Sequence, residues 1–180
     1  METWEWIVLA AGGAVLVLLA AAFWRIRRRR ASLQEQFGHE YYRSVSDHGR
    51  GEAEKRLSEV AREHDELELR ELPPVARERY LDEWRQVEAR FVSDPGDAAR
   101  SAERLLERVL EERGYPGNGD VEHRIALVAA DHPDVAERFR HGHAMLDRVD
   151  GAESTEDLRK AMLDFRAVLE SVLAGQRAVV

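Results

Sequence analysis

No cysteine occurs anywhere in the 180 residues. That absence removes disulfides, thiolate metal sites and thiol nucleophiles together. Lysine is nearly missing as well: Lys55 and Lys160 stand against 25 arginines, a codon bias that points to a GC-rich, bacterial source. Nowhere do apolar and polar residues alternate between turn signals, so no strand is predicted and the chain reads as all-α. Basic residues are scarce after the first thirty positions. Residues 1–30 hold five arginines and two acids, which leaves 22 bases and 33 acids in residues 31–180, a net charge of −11. Nucleic acid is therefore not an expected partner, because its phosphates need a basic face.

Charge is missing altogether from one long stretch. Trp6 to Trp24 is nineteen residues without a charged side chain, followed at once by Arg25, Arg27, Arg28, Arg29 and Arg30. At about 1.5 Å per residue a helix of that length spans roughly 28 Å, close to the ~30 Å hydrocarbon core of a bilayer. A buried soluble helix rarely goes so far without a polar position. A signal peptide would need a positive leading region, whereas Met1–Glu5 carries two acids and no base. Residues 6–24 are thus expected to cross a bacterial plasma (inner) membrane once. The arginines on the C-terminal side should hold that flank in the cytoplasm. Residues 1–5 would then lie outside, with Trp4, Trp6, Trp24 and the five arginines at the membrane interfaces. Gly12-Gly13, with Ala10 and Ala14 four apart, offers a small-residue face on which two such helices could pair as a homodimer.

Beyond the span, residues 25–72 read as a basic juxtamembrane segment and a charged helical neck. Leu33–Gly38 continues the first helix, Glu40–Asp47 forms a short one, and Glu52–Leu67 carries a narrow stripe of Leu57, Val60, Ala61, His64 and Leu67. Pro73-Pro74 marks the expected start of a cytoplasmic domain over 73–174. There the second proline suits a first helical position. A bundle of about five helices follows. Tyr80, Trp84, Val87 and Phe91, with Leu81 beside them, form the first buried face. Asp94-Pro95 opens the next helix, Gly114 closes it, and Asp120 caps a third. Asp131-His132-Pro133 repeats the cap-then-proline device before a fourth. Ser154-Thr155-Glu156-Asp157 is a capping-box-like start for the fifth, whose stripe runs Leu158, Ala161, Met162, Phe165, Val168, Leu169, Val172 and Leu173. Residues 175–180 read as a frayed tail.

Several of these motifs carry a resemblance: Ala89-Arg90-Phe91-Val92-Ser93-Asp94-Pro95, Arg113-Gly114-Tyr115-Pro116, Asp131-His132-Pro133 and Ser154-Thr155-Glu156-Asp157-Leu158-Arg159. In this order, from about Gln34 to Leu173, the chain resembles an uncharacterised, mainly actinobacterial family of membrane-anchored helical proteins. The resemblance implies an anchor ahead of a helical domain and brings no activity, cofactor or catalytic residue.

Motifs for chemistry are sparse. A carboxylate-bridged di-metal bundle would need Glu-x-x-His pairs, and none is present. Glu137 and His141 share a helix face, but His141 and His143 point about 200° apart. Gly114–Gly119 is glycine-rich yet lacks the lysine and preceding strand of a phosphate loop. No serine sits in Gly-x-Ser-x-Gly, and no Asp-x-Asp-x-Asp-Gly calcium loop occurs. The expectation is therefore no cofactor, no metal and no enzyme, but an acidic interaction or scaffolding module that brings a protein partner to the membrane. The alternative is a ligand-binding or enzymatic pocket between the last helices, built from Asp131, His132 and His143.

Overall fold

A computed structural model describes residues 20–21, 24, 27–28, 31–117, 120–147 and 154–174 of the protein. The fold is all-α, with no strand among the described residues. Helical residues 31–37 lead into α1 (His39–His48) and α2 (Arg50–Glu66). After an extended strap over 67–73 come α3 (Pro74–Phe91), α4 (Pro95–Arg113), α5 (Val121–Asp131), α6 (Pro133–Asp147) and α7 (Thr155–Ala174). Neighbours in space run α3, α4, α7, α6, α5, α2, α1, and α1 returns to touch α6.

The helix ends follow from local chemistry. Asp94 accepts the Asp97 amide at 3.0 Å, and Pro95 fills the first helical position, where its missing N–H costs nothing. At the other end of α4, Gly114 takes φ 105°, which lets its amide reach Glu111 and lets the Tyr115 amide reach Leu110. A side chain at Gly114 would be strained by that φ and would also meet the Glu68 backbone oxygen at 2.7 Å. The strap therefore lies directly on the end of α4. Asp120 caps α5, and the Ser154 hydroxyl accepts the Asp157 amide at 3.2 Å to start α7.

All eight stripe residues of α7 are buried. In α3 the buried face is Ala76, Tyr80, Trp84 and Val87; Leu81 is 38 % exposed and Phe91 only partly covered, because α3 packs chiefly on α4 along a narrow seam. α6 begins at Pro133, which puts His132 in the capping position. The α6 amides of Val135 and Ala136 bond the His132 carbonyl, while the Asp131 carboxylate bonds His64 and Tyr115.

The stretch expected to stand as a neck joins the bundle from Leu33 onward. Leu33, Phe37, Tyr41, Leu57 and Val60 share one core with α3 to α7. Each stripe alone is too thin to bury, but α1 and α2 fold against each other and combine theirs with Leu33 and Phe37. The joint face is wide enough for apolar burial against α5 and α6.

No helix among the described residues is long and apolar enough to cross a membrane. Most of the run from Trp6 to Trp24 lies outside the described residues, as do Trp4, Arg25, Arg29, Arg30 and residues 175–180. Trp24 is 63 % exposed, with the Arg28 guanidinium 5.1 Å from its ring centroid, a cation–π contact.

Candidate functional site

Where α2, the end of α4 and the α5–α6 joint meet, four titratable side chains gather. Asp131 closes α5, and Pro133 forces a new helix to begin two residues later. The short joint leaves the Asp131 carboxylate facing α2, where His64 Nε2 lies 2.8 Å from its Oδ2. The Tyr115 hydroxyl donates to the same oxygen at 3.2 Å, held there by the α4 cap geometry. Both members of the His64–Asp131 pair are sheltered, with side chains 12 % and 15 % exposed. His132, the joining residue itself, has Nε2 buried without a hydrogen-bond partner.

The electrostatics follow from these contacts. The hydrogen bond to Asp131 raises the His64 imidazole above its ordinary value, against the opposing effect of burial; the charges of Asp131 and Asp65 add to the rise. Burial pushes Asp131 up, but the hydrogen bond and charge of His64, with help from Tyr115 and His132, outweigh it, and the net shift is down. His132 goes the other way from His64. Burial lowers it, Asp131 resists, and the nearby Arg113 and His64 cations lower it further. Burial and the Asp131 charge hold the Tyr115 phenol far above its ordinary value, so it remains a donor.

Arg113 frames the cluster. This buried guanidinium donates to the Val172 carbonyl at 3.0 Å, near the end of α7, while the Arg70 amide donates to the Arg113 carbonyl at 2.8 Å. Two further buried arginines act as clamps. Arg124 donates to Pro116, Gly117 and Glu107 at 2.9, 2.7 and 2.9 Å, which ties α5 to α4 and to the residues just after it. Arg140 bonds Glu40 at 2.8 Å and Glu122 at 2.9 Å, tying α6 to α1 and α5.

Of the three residues expected to share a pocket, Asp131 and His132 are neighbours at the joint, while His143 is elsewhere. It lies ten residues into α6, about 15 Å along the helix, and its Nδ1 pairs with Glu103 of α4. Two of the clefts on the molecule, of about 320 and 400 Å3, are charged. The first is lined by Glu40, Arg43, Asp47, His48 and Arg56 among others; the second by Asp134, Glu137, Arg138, His141 and Asp164. Neither is lined by Asp131, His132 or His143. Among the described residues no group of three histidines or acids is placed to hold a metal ion.

The sequence reading missed His64 and Tyr115 as partners of Asp131. His64 nevertheless stood on the apolar stripe of a highly charged helix, which is the signal that a polar group is being buried against something. In comparisons with known proteins the chain matches no family model, no curated protein and no solved structure. The functional reading therefore rests on the chain's own residues.

Proposed function

We propose that the protein is a single-pass inner-membrane protein, N-terminus outside, that presents an acidic helical bundle to the cytoplasm as an interaction or scaffolding module. The nineteen-residue apolar run with arginines on one flank carries this reading. Two features support it. The described residues at positions 20–28 are helical, as are 31–37, and Leu33 and Phe37 pack into the core, so the bundle begins within a few turns of the arginines. The buried Arg124 and Arg140 and the sheltered Asp131 and His143 pair with side chains on other helices, an arrangement suited to a stable shape offered to a partner.

The partner is expected to be a protein with a basic face, complementary to the net −11 of residues 31–180. Crosslinking in native membranes, followed by identification of what co-purifies with the full chain, tests this. The expected result is recovery of a specific protein whose association weakens as salt is raised. Recovery of no specific protein, together with a small molecule retained by the purified chain, would reverse the reading in favour of a ligand-binding domain.

A further inference from the structure

The histidines of this chain are not scattered. Five of the seven meet a carboxylate on another element, and each of those five cross-element pairs involves α5 or α6. His39 of α1 meets Glu137 at 3.6 Å, His123 meets Glu63 of α2 at 3.0 Å, and His141 meets Asp164 of α7. These three have well-exposed members, and solvent leaves such pairs little weight. His64–Asp131 and His143–Glu103 are the sheltered ones, every side chain under one-fifth exposed. Both pairs join packed helices, but only His64–Asp131 lies at a helix end that runs straight into a non-helical segment. The strap over 67–73 follows α2 directly and is held by Arg70 against Arg113 and by Glu68 over Gly114.

We propose that His64 and Asp131 form a proton-dependent clasp, which seats the end of α2 and the strap on the α5–α6 joint when His64 is charged and loosens them when it is not. The apolar contacts of Leu57 and Val60 in α2 and of Leu72 in the strap hold both at every pH, so the clasp governs how often the last turn of α2 and the residues after it open and does not release them. With His64 charged, the Nε2–H bond to Asp131 becomes charge-assisted; Nδ1 is buried without a hydrogen-bond partner and is met only by the charge of Asp65, 4.0 Å away. The other groups facing the pair are Tyr115 from the end of α4, Arg113 behind it, and His132 at the joint.

His132 sets the acid limit. Because the folded His64 is raised above 6.5, its contribution is largely present at pH 6.5 and fades as the pH climbs through the raised value. The folded His132 is lowered below 6.5, so its neutral form favours the folded state above that pH, and this is lost as the pH falls through the lower value. Charging His132 then adds a third cation beside His64 and Arg113. Seating is firmest near pH 6.5 and weakens on either side. The clasp does not depend on where the chain resides.

Hydrogen exchange of the full chain in detergent micelles, corrected for the intrinsic effect of pH, reads this directly. Amides of residues 60–73 are expected to open several-fold more often at pH 8 than at pH 6.5, with α7 as the unchanged internal reference. His64→Gln should abolish that difference, while His39→Gln, which removes an exposed pair, should preserve it. A flat wild-type response, or an undiminished one in His64→Gln, would overturn the clasp. If His64→Gln does not fold, imidazole titration of the wild-type chain by NMR decides: His64 above 6.5 and His132 below it support the clasp, and the two titrating together contradict it.

Discussion

Replacing Phe165 with alanine is expected to cost about 3–5 kcal/mol, a large share of the roughly 5–15 kcal/mol that stabilises a domain. Phe165 is wholly buried in the centre of α7. One side of its ring meets Phe139 of α6 edge-on, with centroids 6.3 Å apart. The ring also lies against Gly142, so close that a Cβ there would come within 2.6 Å of the ring edge. The α6–α7 contact is thus built as a large ring over an absent side chain, and neither half can change alone. Truncating the ring leaves a cavity between two long helices that are pinned at other points and cannot collapse. Urea unfolding of the full chain in micelles, followed by the near-ultraviolet signal of buried Trp84, should show the loss as a lowered midpoint with little change in slope. The opposite error, Gly142→Ala, gains up to about 1 kcal/mol of helix propensity but overpacks at about 1–3 kcal/mol. Phe165→Leu should relieve part of that loss. Additive effects in the pair would mean that the two positions are not in contact.

Arg124→Ala is expected to cost about 3 kcal/mol, at the low end of the ~3–5 kcal/mol for breaking a buried ion pair because Glu107 is 35 % exposed. The Arg124 side chain is only 6 % exposed, and each of its three donors has its own partner: a carboxylate on α4 and two carbonyls of the connection. That fork ties the first turn of α5 to α4 and to Pro116 and Gly117 just beyond it. Lysine offers a point charge in place of a planar fork and can satisfy one partner at a time, so Arg124→Lys should fall between wild type and alanine. The measurement is again the unfolding midpoint, with exchange of the amides flanking the connection as a second readout. An Arg124→Lys variant as stable as wild type would show that charge alone is at work.

Much of the fold was legible from local signals. Asp94-Pro95, Arg113-Gly114 and Ser154–Asp157 bound helices where a cap, a fixed φ or a left-handed residue dictates an end, and each operates within four residues of itself. The α7 stripe was equally plain, because eight apolar residues at helical spacing leave only one face to bury. The seating of α1 and α2 was not legible. Their stripes are narrow and highly charged in surroundings, and only the pairing of two such helices makes a face worth burying. Leu81 erred in the other direction: it is apolar and beside the seam, yet α3 has too few neighbours to cover it. The site was half legible. Asp131 and His132 could be singled out by their place before a proline, but His64 is 67 residues from Asp131 and His143 is 40 from Glu103. Side-chain pairs at that separation are set by how the helices pack, which no local pattern encodes.

The central proposal is that the chain crosses the membrane once and leaves its acidic bundle on the cytoplasmic side. It rests on where five arginines stand relative to nineteen uncharged residues. A C-terminal enzyme reporter active only in the periplasm, fused to the full chain and read in intact cells, tests the claim most directly. The reporter should be silent while the fusion sediments with membranes and resists extraction at high pH. An active reporter, or a fusion released into the soluble fraction, would contradict it.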